Sequence, residues 1–136
     1  MTSKIIVEPE KNHGWTPGKP HGWSAAFDES IHFVGYDFDE KENIVGFGIS
    51  PEDAKIDLAT QIACYAVGDL KTALDELATD EMMRAALKKA EKRVVWYEGL
   101  FETAKHKEGI EHHISANRHA AEGLRNLISS MKEHTQ

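Results

Sequence analysis

The sequence predicts an α+β protein: a small antiparallel sheet with one packed helix, followed by a C-terminal antiparallel helical hairpin. Three observations predict this fold class. Residues 1–50 carry most of the glycine and proline and nearly all of the strand-like alternation of apolar and polar side chains. Residues 51–78 carry a helical apolar stripe. Residues 79–136 carry two heptad repeats separated by a short break. A chain of 136 residues fits a single domain built from these three parts.

Four short strands are predicted before Ser50, at residues 4–7, 22–27, 31–38 and 43–48, with turns at 28–30 and 39–42. Together they predict an antiparallel meander with one covered face. Trp23, Ala25 and Phe27 alternate onto the same face of their strand, so we expect them to contribute to the core.

The stretch from His13 to Trp23 reads HGWTPGKPHGW and leads into this sheet. Trp15 lies in a loop that Pro17 and Pro20 make stiff. An aromatic side chain on a rigid, exposed loop is typical of a contact with a ligand or a protein partner. The alternative is that Trp15 folds back over the sheet as a lid.

The helix after the sheet has a clear start. Ser50 is placed to cap it, Pro51 suits the first helical position, and Asp53 completes a capping-box pattern. Gly68 and Asp69 either end this helix or bend it. Its apolar stripe, which can lie on the sheet, consists of Ala54, Leu58, Ala59, Ile62, Ala63 and Ala66.

The two heptad repeats predict a helical hairpin that reverses near Lys107. The first seam consists of Met83, Leu87, Ala90, Val94, Tyr97, Phe101 and Ala104. The second consists of Ile110, Ile114, Asn117, Ala121, Leu124, Ile128 and Met131. The register follows from charge, because pairs of opposite sign then face one another along one flank: Lys105 with Glu111, Glu98 with Arg118, and Glu91 with Arg125. Arg84 faces Lys132 at the open end, where acids such as Asp80 can compensate.

The other flank of the hairpin is apolar or small, which favours close approach of another surface. Its residues are Ala86, Leu100, Ala116, Ala120, Gly123 and Leu127. The surface could be the helix from Pro51, the sheet or a second copy of the protein. Because an apolar flank can also pair two copies, we predict a homo-oligomer. Asn117 faces Tyr97 inside the seam as a polar layer, which we interpret as structural because a buried amide fixes alignment.

A ligand-binding site is predicted where sheet and hairpin meet, formed by Trp15, Arg93, Trp96 and His113. Arg93 lies on the apolar flank with no acid predicted opposite it, so it could hold an anionic or planar ligand by charge and stacking. The alternative is that its aliphatic stem covers apolar surface while its head reaches water.

No metal, cofactor or catalytic residue is predicted. His106, His112, His113 and His119 are numerous, but His112 and His119 lie two helical turns apart and could share zinc only with a partner helix. The sequence contains neither a nucleophile-elbow pattern nor a phosphate-binding loop. We therefore expect a protein that is not an enzyme.

Charge and composition narrow the class of partner and the location. The net charge of −7 disfavours a nucleic-acid binder, whose affinity comes from clustered Lys and Arg. No apolar run approaches a membrane span, and the N-terminal residues lack the pattern of a secretory signal, so we expect a cytoplasmic protein without membrane contact. A single cysteine excludes an internal disulfide.

The segment 36–61, YDFDEKENIVGFGISPEDAKIDLATQ, resembles the strand-turn-strand-helix of small HicB-like proteins, which have a partial double-stranded-RNA-binding-like fold. The matching residues are Gly46, Gly48, Ser50, Glu52, Asp53, Ala54 and Leu58. The resemblance implies a sheet-plus-helix fold, and antitoxins of that family bind a partner ribonuclease through it. The present chain lacks their usual Pro-Gly strand connection and ends in a helical hairpin instead of a DNA-binding module.

The leading hypothesis is a non-catalytic binding protein that inhibits a partner protein through the junction of sheet and hairpin. In its build it also resembles small acidic proteins of phages and mobile elements. One alternative is an oligomeric sponge that sequesters an anionic nucleotide. Another is a metal-dependent hydrolase that uses the His-rich C-terminal helix.

Overall fold

The computed structural model describes residues 5–9, 22–27, 44–66 and 69–134. It confirms the α+β class, with a three-stranded antiparallel sheet followed by helices and a C-terminal helical pair. The strands are β1 (Ile5–Pro9), β2 (Trp23–Phe27) and β3 (Gly46–Gly48). The helices are α1 (Pro51–Tyr65), α2 (Leu70–Leu74), α3 (Asp80–Thr103) and α4 (Glu108–His134), with a 3-10 turn at Asp75–Leu77.

The sheet has the order β1-β2-β3, and neighbouring strands are antiparallel. Val7 pairs with Ala25, and Ala25 pairs with Gly46, which places all three on the face that meets α1. Trp23, Ala25 and Phe27 lie on this face as predicted, although Trp23 is half-buried. The predicted strand at 31–38, its flanking turns and the loop around Trp15 lie outside the described residues.

Helix α1 begins at the predicted residue and with the predicted Ser50 cap. The Ser50 hydroxyl accepts a hydrogen bond from the Asp53 backbone N–H at 3.1 Å, with Pro51 at the start of the helix. The whole predicted apolar stripe of this helix is buried. Gly46 and Gly48 let β3 approach α1 closely, because a Cβ atom on either would overlap the backbone of Ala54.

Residues 51–78 do not form one helix. Helix α1 ends at Tyr65, and the backbone of Ala66 is extended, with φ −68° and ψ 130°. The chain becomes helical again at Leu70, where the Asp69 carboxylate accepts hydrogen bonds from the Thr72 hydroxyl at 2.7 Å and the Lys71 N–H at 3.2 Å. The predicted break near Gly68 and Asp69 is thus an end of one helix and the start of a short second one.

The hairpin has the predicted register. Glu91 and Arg125 are 3.1 Å apart, and Glu98 and Arg118 are 3.5 Å apart. Arg84 is paired with Asp80 at 2.9 Å, the compensation expected at the open end. The predicted pair of Lys105 with Glu111 does not occur within the described residues. Close to the reversal, the Lys107 ammonium lies 4.7 Å from the centre of the Phe101 ring instead.

Helix α1 is the central layer of the molecule. It packs on the sheet on one side and on both α3 and α4 on the other. It therefore covers the small-residue flank of the hairpin, where Ala86 and Ala120 are fully buried. The helix from Pro51, one of the three surfaces expected to approach this flank, packs on it.

Candidate binding surface at the end of α1

A buried carboxylate ties β3, α1 and α3 together. Asp57 of α1, whose side chain is 5% exposed, forms ion pairs with Arg93 and with Lys89, the latter at 3.6 Å. Its Oδ2 accepts hydrogen bonds from the Phe47 backbone N–H and from the Gln61 Nε2, both at 2.8 Å. Two cations and two neutral donors thus compensate the buried charge.

This network corrects the expectation that Arg93 has no acidic partner. The acid comes from α1, a different layer of the fold, so pairing the two hairpin helices could not reveal it. The guanidinium of Arg93 faces Asp57 and is bound to it, and its side chain is 30% exposed. Arg93 therefore holds α3 against α1, and a role in gripping an anion stays a prediction.

Five aromatic and imidazole rings follow one another where α1 ends against the hairpin. Trp96 meets Tyr97 edge to face at 4.9 Å between ring centres, and Tyr97 stacks on His113 at 4.7 Å. His113 contacts His112 at 6.1 Å, and His112 lies 6.5 Å from Tyr65 at the end of α1. We call these five residues the aromatic patch. Trp96, at the outer end of this patch, is 60% exposed.

A polar layer lies beneath the aromatic patch. The buried Asn117 donates from Nδ2 to the His113 backbone oxygen at 2.8 Å, and its Oδ1 accepts from the Cys64 thiol at 3.6 Å. The sequence predicted Asn117 as a structural polar layer facing Tyr97. The amide is hydrogen-bonded as a buried amide should be, but it bonds to Cys64 and His113, while the Tyr97 ring stacks on His113.

The environment of Cys64 keeps its thiol protonated. Burial raises the pKa of Cys64 from its ordinary 9.0 to about 11, the positive charge of Arg93 lowers it, and the negative charge of Asp57 raises it. Because the thiolate is the reactive form, this cysteine is a weak nucleophile at neutral pH.

The histidines of α4 serve different contacts. His119 Nε2 lies 2.8 Å from the Ala66 backbone oxygen, at the end of α1, while His112 and His113 belong to the aromatic patch. In the described ranges, no three His, Cys, Asp or Glu side chains are grouped so that they could hold a metal ion. No helix in the described ranges has both the length and the apolar composition needed to span a membrane.

The structure brings Trp96 and His113 together through Tyr97 and directs Arg93 inward to Asp57. Trp15 lies outside the described residues, so its part in the site stays a prediction. Sequence reasoning missed Tyr65, His112 and the Asp57 network. An acid within an alanine-rich apolar helix, followed four residues later by Gln61, was the available signal for the network.

Comparisons with protein-family models, with curated proteins and with solved structures find no match to this chain. The HicB-like resemblance of residues 36–61 therefore stays a prediction, and the fold and the site are described from their own geometry.

Proposed function

We propose that this protein is a non-catalytic binding protein that inhibits a partner protein by occupying its surface, with the aromatic patch as the main contact. The observation that carries the proposal is Trp96, a large side chain that is 60% exposed and contacts the ring of Tyr97 edge to face. Tryptophan and tyrosine dominate the energetic centres of protein interfaces. A ring that already contacts a neighbour has less conformational entropy to lose when a partner covers it.

The surroundings of Trp96 support a protein partner. Leu100, one turn further along α3, is 37% exposed, so the apolar surface continues beyond the rings. Exposed apolar groups that adjoin one another mark contact surfaces more often than scattered single residues do. An inhibitor of this kind needs no catalytic group, and the cytoplasmic location and phage-like origin remain part of the proposal.

The nucleotide-sponge alternative receives less support from the site. It needs a cation that can grip phosphate, and Arg93 is already paired with the buried Asp57. Rupture of that pair would leave a buried carboxylate with reduced compensation, which is energetically costly. Stacking of a planar ligand on Trp96 would still be available, so we treat a bound small molecule as an outcome to be tested.

The test is a partner that depends on Trp96. Three proteins are used to capture proteins from the native host: wild type, Trp96→Ala and the matched control Ile49→Ala. The control removes another highly exposed apolar side chain. We expect a protein retained by wild type and by the control but lost with Trp96→Ala. Calorimetry on the purified pair should then give a Kd at least about 30-fold weaker for Trp96→Ala, the cost typical of an interface hot spot.

Equal retention by Trp96→Ala, or no Trp96-dependent protein in the host extract, would contradict the proposal. Native mass spectrometry of untagged protein separates the alternatives. A stoichiometric nucleotide mass would favour the sponge, stoichiometric zinc would favour the hydrolase, and an oligomer free of ligand would fit the homo-oligomer we propose for the inhibitor.

A further inference from the structure

A second surface lies on the flank of the hairpin that carries the interhelical ion pairs. Two adjoining depressions between α3 and α4, of about 510 and 480 Å³, share Arg118 as a common wall. They form one groove along the helix pair, which we call the paired-charge groove. Helix α1 packs on the other flank, where Asp57 is paired with Arg93 and Cys64 is hydrogen-bonded to Asn117.

The floor of the paired-charge groove is apolar. It is formed by seam residues, among them Val94, Phe101 and Ile114, each of which is half-buried. Val95 at its edge is 70% exposed. An open groove between two antiparallel helices is the shape that accepts a third, amphipathic helix, whose apolar face completes the seam.

The rim of the groove has a surplus of negative charge. It consists of Glu91, Glu98, Glu102, Glu111, Glu122, Arg118 and Arg125, five acids against two bases. Both arginines are engaged by Glu91 and Glu98. No ion pair to Glu102, Glu111 or Glu122 is present among residues 5–9, 22–27, 44–66 and 69–134. These three carboxylates are therefore available to Lys or Arg side chains from outside.

We infer that the paired-charge groove binds a basic amphipathic helix of a partner protein, with Lys or Arg side chains flanking its apolar stripe. The charge of the chain argues against a second copy as the occupant, because each copy carries a net charge of −7 and would bring further negative charge to an acidic rim. The inference goes beyond the proposed function, since Trp96 and the groove lie on opposite flanks of α3.

The probe is a synthetic 18-residue helical peptide with leucine along one face and lysine on both sides of it, with a control peptide that carries glutamate in place of lysine. Fluorescence anisotropy measures the binding of each at low and high salt. We expect the lysine peptide to bind at least about tenfold more tightly than the glutamate peptide, and its affinity to fall as salt screens the rim.

Two variants locate the binding site. The triple change Glu102→Gln, Glu111→Gln and Glu122→Gln should weaken the lysine peptide roughly tenfold, since three exposed charge pairs are lost. Ser115→Trp leaves the charge unchanged and fills the groove, so it should weaken the peptide by a similar factor. Circular dichroism and thermal unfolding confirm that the variants remain folded.

Two controls separate the groove from the rest of the surface. The triple change Glu8→Gln, Glu76→Gln and Glu81→Gln removes the same charge from exposed positions elsewhere and should leave the affinity within about twofold. Trp96→Ala should also leave it unchanged.

Failure of the lysine peptide to bind, or equal losses in the two triple variants, would overturn the inference. A loss confined to Trp96→Ala would place the peptide on the aromatic patch, which would overturn the groove while leaving the proposed function intact. Sedimentation that shows a dimer whose formation excludes the peptide would identify a second copy as the occupant and also overturn it.

Discussion

The two halves of the α3–α4 hairpin carry the same heptad seam but bury it to different extents. In the half near the open end, which we call the proximal half, Met83, Ala90 and Leu124 are fully buried. In the distal half, near the reversal at residues 104–107, Phe101 and Ile114 are half-exposed. The interhelical ion pairs occur in both halves, so the helices remain paired throughout.

The difference comes from the third layer. Helix α1 lies over the proximal half and reaches Asn117 and His112 with its last turn. Beyond that point no described residue covers the α1 flank of the hairpin as α1 does, and Trp96 and Leu100 are exposed there. The heptad pattern therefore specifies how two helices pair, whereas a third element decides which part of the pair forms the core and which part can meet a partner.

Matched truncations in the two halves should give the largest difference. Leu124→Ala removes a fully buried side chain and should lower the free energy of unfolding by about 3 kcal/mol, since it leaves a cavity in a packed core. Ile114→Ala, in the distal half, should cost about 1 kcal/mol, because this half-buried side chain removes less apolar surface from water when the protein folds. Urea unfolding of both variants measures the difference, and equal costs would contradict the division into halves.

Removal of the Asp57 charge, which joins α1 to α3, should destabilise the proximal half of the hairpin. Asp57→Ala leaves Arg93, Lys89 and the Phe47 N–H without their shared acceptor, so we expect a loss of about 3 kcal/mol in unfolding free energy. Asp57→Asn is the matched control: it keeps an acceptor oxygen and should cost less. Chemical denaturation gives both values. A loss below about 0.5 kcal/mol for Asp57→Ala would show that the network does not hold the layers together.

Cys64 reports on the border between the halves. Its pKa of about 11 implies roughly 100-fold less thiolate at pH 8 than in an ordinary thiol of pKa 9.0. Because a thiolate of higher pKa is also more nucleophilic, we expect alkylation to be about tenfold slower. The folded-state pKa exceeds the unfolded value, so the stability contributed by the neutral thiol is full below pH 9 and is lost as the pH rises toward 11. The rate of reaction with iodoacetamide across pH 7–11.5 measures the pKa of Cys64, with urea-unfolded protein as the control. A native rate near the unfolded rate would contradict the raised pKa of Cys64.

Local patterns in the sequence predicted most of the architecture. The heptad spacing and the charges of Glu91, Glu98, Arg118 and Arg125 predicted the hairpin and its register, because those contacts recur along two straight helices. Ser50 predicted the start of α1 because capping depends on the adjacent residues alone.

The candidate site was less predictable because it depends on how layers cross. Arg93 was expected to be free, yet the crossing of α1 over α3 supplies Asp57. Tyr65 and His112 are 47 positions apart in the chain and meet only because α1 ends beside α4. A heptad seam identifies Trp96 and His113 as neighbours of the core, but it contains no information on where the cover ends.

Hydrogen exchange of the backbone amides, measured by mass spectrometry at a concentration where the protein is monomeric, tests the two-half hairpin most directly. We predict strong protection for residues 83–92 and 117–128, and exchange at least about 100-fold faster for residues 97–103 and 108–114, because the distal half makes fewer buried contacts. Uniform protection along α3 and α4 in the monomer would contradict an uncovered distal half, and with it the surface assigned to a partner.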